Sequence, residues 1–164
     1  MLARDFAVAY HGDQLYGSRP YVEHLEDVVG VLAEAGYSEH QDIGFLHDVL
    51  EDTDATADMI RAQFGDLTAD AVLFCTDASG TNRKTRKQST YFRVDKDRAN
   101  ESEAIVAGLA VKVADRIANL RNCKAENNTG LLSMYRKEHR DFERHYYDAR
   151  HQSLWDLYDE VIGD

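Results

Sequence analysis

The stretch His47-Asp48-Val49-Leu50-Glu51-Asp52-Thr53 places one imidazole and three carboxylates within six residues, in a run whose other members are apolar and helix-compatible. Residues four apart on a helix share a face, so His47 is expected below Glu51 and Asp48 below Asp52. The result is two adjacent polar rows on an element that otherwise reads as buried. Burying that much charge is costly unless a cation or hydrogen bonds compensate. A divalent metal is the simplest compensation, provided the rest of the chain supplies further ligands.

Working outward from this stretch, every neighbouring segment reads as helix. The chain has a single proline, Pro20, and its apolar residues recur at three- and four-residue spacing. Together these predict an all-α bundle of about eight to nine helices, forming one domain over residues 1–164. A first helix is expected over Leu2–His11 with Leu2, Phe6 and Ala9 or Tyr10 inward. A polar turn, Gly12 to Arg19, leads to Pro20 at the start of a second helix, which ends at Ala35 before Gly36. Its core row is read as Leu25, Val28, Val29 and Leu32. Ser38-Glu39-His40-Gln41 fits a capping box that starts a third helix, the one carrying the opening stretch. Helices follow at about 55–64 and 68–76, then a loop Asp77–Thr81 and a basic, solvated helix over Asn82–Lys96. The segment from about Ala99 to Arg121 is apolar nearly all round, as expected of a central buried helix. Two amphipathic helices, about 131–149 and 153–162, complete the chain, and most aromatics between Tyr135 and Tyr147 are expected to be core.

Composition narrows the function. The 164 residues are 43% hydrophobic and 30% charged, which marks a globular chain. No apolar run approaches the roughly 20 residues that cross a bilayer, and the N-terminus lacks the apolar block of a secretory signal. Two cysteines without a CxxC pattern read as reduced core thiols, so a cytoplasmic setting is expected. The net charge of −11 argues against a nucleic-acid polymer as partner. A small phosphorylated nucleotide remains compatible, because it needs only a local cation cluster or a metal. No membrane and no obligate protein partner is indicated.

Further ligand candidates lie on other helices. Asp115 sits in the most apolar helix, with Lys112 three residues before it and Asn119 four after. His24 shares a helix face with Tyr21 and Val28. Singly, each has a plainer reading: Asp115 paired with Lys112 or Arg116, and His24 as a hydrogen-bonded core-edge residue. Together, His24, His47, Asp48 and Asp115 offer two imidazole nitrogens and two carboxylates from three predicted helices. Mixed nitrogen and oxygen ligation suits Mn²⁺, Fe²⁺, Co²⁺ or Zn²⁺ better than Ca²⁺. Glu51 and Asp52, one turn further on, are placed to accept a proton from a water activated by that metal.

The order Pro20-Tyr21-Val22-Glu23-His24, then His47-Asp48-Val49-Leu50-Glu51-Asp52-Thr53, then Lys112-Val113-Ala114-Asp115-Arg116-Ile117-Ala118-Asn119-Leu120-Arg121 resembles the HD-domain hydrolases of the RelA/SpoT alarmone family. The likeness spans roughly residues 3–122, and the size is similar to the small stand-alone, MESH1-like branch. The resemblance implies His24, His47, Asp48 and Asp115 as ligands of one metal, most often Mn²⁺. It implies Glu51 and Asp52 as the catalytic pair, Asn119 as a ligand contact near the metal, and His11 as a residue preceding the substrate-side loop. The implied reaction removes the 3′-pyrophosphate of (p)ppGpp.

One departure concerns the base. Where the family carries an Arg-Lys pair near the purine, this chain has the shorter Gln14-Leu15-Tyr16-Gly17-Ser18-Arg19-Pro20, with only Arg19 basic. Tyr16 offers a ring for base stacking instead. An adenosine alarmone or another nucleotide is therefore the alternative substrate, and a non-catalytic alarmone-binding module the alternative role. Arg83-Lys84-Thr85-Arg86-Lys87 is the remaining candidate. Arg83, Lys84 and Lys87, with Lys112, are candidates to contact polyphosphate, against the plainer reading of a solvated helix face.

Overall fold

A computed structural model describes residues 1–163. Its centre is α8 (Glu103–Ala125), 23 residues and so about 35 Å long. Fourteen of those residues are buried, too many for one stripe, so other helices cover it on several sides. They are α2 (Tyr21–Ala35), α6 (Asp66–Cys75), α9 (Thr129–Tyr146) and α10 (Gln152–Gly163). The expected start near Ala99 moves to Glu103. The Ser102 hydroxyl accepts the Ile105 N–H and caps the helix there, while the preceding helix, α7 (Arg83–Ala99), runs on to Ala99.

Two glycines let helices approach closely. A Cβ on Gly108 of α8 would lie 2.5 Å from Phe74 Cδ1 of α6. Gly108→Val is accordingly expected to destabilise the protein by about 1–3 kcal/mol through overpacking. Thermal unfolding checks this, and an unchanged midpoint would show that α6 yields without strain. Gly44, in α3 (Gln41–Leu46), would place a Cβ 3.0 Å from Val29 Cγ2 and 3.1 Å from Leu32 Cδ1, so α3 lies tight against α2.

Most predicted elements form, with shifts that have local causes. In α1 (Ala3–His11) the inward face is Ala3, Phe6, Ala7 and His11. Leu2 is 71% exposed, and neither Ala9 nor Tyr10 is buried; the expected face was off by one position. In α2, Leu25, Val28 and Leu32 are core as expected, but Val31 is buried and Val29 only half so. The helix ends at Gly36, whose φ of 91° is the left-handed conformation that closes a helix. No capping box forms at Ser38: residues Ser38–His40 make a 3-10 turn, and His40 precedes α3 without a side-chain cap.

The expected third helix is broken within the opening stretch. It stops at Leu46, passes through a turn at His47-Asp48, and resumes as the single turn α4 (Val49–Asp52). Then α5 (Ala57–Phe64) and α6 pack as a pair, and Ala71–Cys75 is helical as expected. The polar turn before Pro20 contains a small hairpin, β1 (Leu15–Tyr16) against β2 (Arg19–Pro20). Gly17, with φ 60°, occupies its first turn position, where a glycine is needed. The helix α7 is more than a solvated face, since Thr90, Tyr91 and Val94 are buried. Phe142 of α9 packs with Tyr146 of the same helix and with Trp155 and Tyr158 of α10, so that part of the aromatic tail is core. No helix among the described residues is long and apolar enough to cross a membrane.

Candidate metal centre and phosphate pocket

The break at His47-Asp48 brings consecutive side chains to one point. On an unbroken helix neighbours diverge by about 100°. Here His47 Nε2 lies 3.0 Å from Asp48 Oδ2. His24 arrives from α2 and Asp115 from α8. His24 Nε2 is 3.1 Å, and His47 Nε2 3.4 Å, from Asp115 Oδ1. One ligand atom from each of the four residues lies within 4.8 Å of the others. Both histidines are buried.

The surrounding bonds orient this set. His47 Nδ1 donates to the Gly44 carbonyl at 2.7 Å, which leaves Nε2 facing the carboxylates as the metal-binding nitrogen. Nε2 is buried without a hydrogen-bond partner, as expected of an atom whose partner is a cation. Tyr21 donates to Asp48 Oδ2, and burial together with Asp48 raises its pKa, so it stays a donor. Asn119 donates to Asp115 Oδ1 at 3.1 Å and accepts from Tyr16, whose ring stacks on His24 at 4.3 Å. Burial opposes charge on Asp48 and Asp115, but the histidines hold both carboxyls below their usual range. Burial likewise opposes a proton on His47, and the two carboxylates overcome it, raising its pKa well above the ordinary value. Two nitrogens and two carboxylate oxygens fit a divalent transition metal.

Beside the centre is a pocket of about 170 Å³. Its charged walls include Asp48, Glu51, Asp77 and Asp115 against Arg83, Lys87, Lys112 and Arg116. The four carboxylates and four cations balance, so a bound dication would leave an excess of positive charge. That volume is below the roughly 300 Å³ at which small-molecule pockets begin, so it suits phosphate groups and leaves a nucleoside outside. A larger cleft of about 540 Å³ lies between α2 and α8, but its acids Glu26, Asp27 and Glu34 are paired with Arg4, Arg19 and Arg121 and it contains none of the four candidate ligand residues.

The two acids of the opening stretch separate. Glu51 lines the pocket although the residue as a whole is exposed, and desolvation of its carboxyl by the surrounding wall pushes it up to about 7 against the Asp77 N–H, which lowers it. Asp52 is exposed and accepts from Gln14 Nε2 at 3.0 Å; Gln14 in turn accepts from His11 Nδ1 at 2.8 Å. His11 thus reaches the site through Gln14 and does not line the pocket. Arg19 turns to Asp27 and Asn122, and Lys84 borders a separate groove with Gln88 and Tyr91. Arg140 and Arg144 lie around a shallow surface groove with Arg98. Lys112 lines the pocket, but its ammonium is held by the Cys75 carbonyl and Asp77, so it is not the partner of Asp115. Arg116 is not that partner either. Its guanidinium lies over Phe142 and Tyr135 and reaches Glu138 at 3.3 Å, and Arg83 shares Glu138.

Sequence reasoning did not single out Tyr21, Asp77, Arg116 or Tyr135 for the site. Tyr21 was readable, since it lies three residues before His24 on the same face. Asp77 sits in a loop, where periodicity says nothing.

Fold and centre define a helical protein built around a two-histidine, two-aspartate cluster that fits a divalent metal. The family model described as HD domain matches residues 3–139, and the chain belongs to that family. It is 38% identical over 132 residues to a Synechocystis protein named probable guanosine-3′,5′-bis(diphosphate) 3′-pyrophosphohydrolase, covering 76% of this chain and 17% of that protein. It is 29% identical over 123 residues to the Drosophila melanogaster guanosine-3′,5′-bis(diphosphate) 3′-pyrophosphohydrolase MESH1, covering 73% of this chain and 65% of that one. The chain therefore spans only part of these relatives. Among solved structures, a metazoan SpoT ortholog described as hydrolysing ppGpp superposes with a TM-score of 0.69 at 22% identity, over 96% of this chain and 92% of that one. That likeness is one of fold. A Listeria monocytogenes protein superposes with a TM-score of 0.59 at 26% identity, over 87% of this chain and 98% of that one.

Proposed function

We propose that this protein hydrolyses the 3′-pyrophosphate of guanosine 3′,5′-bis(diphosphate)-type alarmones with one divalent metal, Mn²⁺ being our assignment. The observation that carries the reading is the joint placement of the metal-ligand set and Glu51 in a pocket whose other wall holds Arg83, Lys87 and Arg116. The names of the Synechocystis and Drosophila relatives support the substrate class. Buried thiols at Cys75 and Cys123 fit a cytoplasmic setting.

His24, His47, Asp48 and Asp115 would hold the metal. When bound, it lowers the pKa of water and polarises a phosphoryl oxygen. Glu51 accepts a proton as the water oxygen bonds to the phosphorus on the 3′ oxygen. The bond from that phosphorus to the 3′ oxygen breaks, the nucleoside oxygen takes up a proton from solvent, and pyrophosphate leaves. Arg83, Lys87 and Arg116 offset the charge on the departing group. Asp52, tied to Gln14 and His11, orders the water side of Glu51. Tyr16 stacks one face on His24 and donates to Asn119, so it closes the centre on that side.

The deciding experiment presents purified protein and Mn²⁺ with ppGpp, pppGpp, ppApp and ordinary nucleotides, identifying products by mass. Pyrophosphate with GDP or GTP is expected. Orthophosphate released from simple nucleotides, or tight ppGpp binding without turnover, would overturn the reading.

A further inference from the structure

The segment joining α6 to α7 is pinned from several sides. Arg93 donates to the Phe74 and Thr76 carbonyls at 3.0 and 2.7 Å. Lys112 Nζ reaches the Cys75 carbonyl at 3.3 Å, and the Ala78 N–H donates to Thr90 Oγ1 at 2.9 Å. Cations at the last carbonyls of a helix are favourable in themselves. Asp77 lies in the middle of this clamp. Its Oδ1 is 3.1 Å from Lys112 Nζ, and its Oδ2 is 2.6 Å from Lys87 Nζ. Its backbone N–H points the other way and donates to Glu51 Oε1.

We propose that Asp77 is a positioning residue for Glu51. Its carboxylate, gripped by Lys87 and Lys112, fixes the direction of its own amide. That amide holds one oxygen of Glu51 and leaves the other to receive the proton. The inference rests on the reading of Glu51 as the base. Glu51 stands on the single turn α4, so nothing in its own element holds a three-torsion side chain in place. A backbone N–H suits the task because it moves only with the chain and gives up no proton to the base. The two lysines also neutralise the Asp77 carboxylate, which would otherwise repel Glu51. Positional errors of about 1 Å at a reacting group can cost on the order of a hundredfold in rate, enough to make such a clamp matter.

Two measurements test it. With Mn²⁺ and ppGpp, Asp77→Asn is expected to lower kcat by roughly 10- to 100-fold, with KM changed less than about threefold and metal content intact. In a Glu51→Gln background Asp77→Asn should change kcat by less than about twofold, because the group it positions is already disabled. Equal losses in both backgrounds, or a rise in KM with kcat unchanged, would overturn the proposal. The second measurement needs no substrate: hydrogen exchange at the Asp77 amide of the metal-free protein. Exchange should be about tenfold faster or more in both Glu51→Ala and Lys87→Met. Unchanged protection in Glu51→Ala overturns the clamp whatever the enzyme acts on. Full activity in Glu51→Gln would instead remove the base role beneath it.

Discussion

Asp115→Ala is expected to lose stoichiometric divalent metal and to lower kcat/KM by roughly a thousandfold, the scale of the several kcal/mol of charge stabilisation a catalytic metal supplies. Asp115 Oδ1 lies 3.1 and 3.4 Å from the two histidines, whereas Asp48 Oδ2 is 3.0 Å from His47 but 3.8 Å from His24, so Asp115 bridges the pair most evenly. Stability gives a second readout. A ligand at about 100 times its Kd stabilises the folded state by about 2.7 kcal/mol, which for a chain of this size raises Tm by about 5–10 °C. Wild type should show that rise with Mn²⁺, and Asp115→Ala should not. The acid side follows from His47. Its folded pKa is raised, and the proton must leave before Nε2 can coordinate, so metal affinity is full above that pKa and falls as pH drops through it. Calorimetry in buffers of different ionisation enthalpy should show proton release on binding near neutral pH. Retained metal in Asp115→Ala would disprove the centre.

Glu51→Gln should behave oppositely with respect to metal. The amide keeps the size of the side chain and lies outside the ligand set, so metal content and the Mn²⁺-induced rise in Tm are expected to persist. Turnover should fall by roughly 10²- to 10⁴-fold, the usual contribution of a general base. The pH profile is the sharper test. A base works deprotonated, and burial pushes the Glu51 carboxyl up to about 7, so activity is present above that value and lost as pH falls through it. A bound cation favours the carboxylate, which puts the observed midpoint at or below about 7. With Mn²⁺ held saturating at every pH, so that loss of metal does not shape the profile, that acid limb should vanish in Glu51→Gln. Asp52→Asn should have a smaller effect, because Asp52, exposed like Glu51, lies outside the pocket that Glu51 lines. Losses of equal size in the two variants would contradict the separation of the acids.

The helical character and the central place of α8 were legible because apolar spacing records burial directly. The four ligands were legible as a set because charge is rarely tolerated in such helices without compensation. What escaped reading depended on contacts between segments. The face of α1 was mistaken because Leu2 belongs to the flanking chain and the helix starts at Ala3. Arg19 and Lys84 looked like phosphate contacts by charge alone, yet their directions are set by Asp27 and by the outer face of α7. Arg116 was read only as a candidate ion-pair partner for Asp115. It sits one residue on, which on a helix turns it about 100° away, toward Tyr135 and the phosphate side. Asp77 carries no pattern of its own; its role exists only once α4, α7 and α8 are assembled around it.

The turn at His47-Asp48 also sets how this protein can change over time. Two adjacent ligands converge only because the chain leaves the helix between Leu46 and Val49. Gly44 upstream is locked against α2, and Glu51 downstream is tied to the Asp77 amide. Between those anchors, a side chain can be exchanged while the register stays. An added or deleted residue would swing one ligand of the pair through about 100° and pull Glu51 from its donor. The stretch is therefore open to substitution at half-buried Leu50, restricted to volume-matched exchange at fully buried Val49, and closed to any change of length.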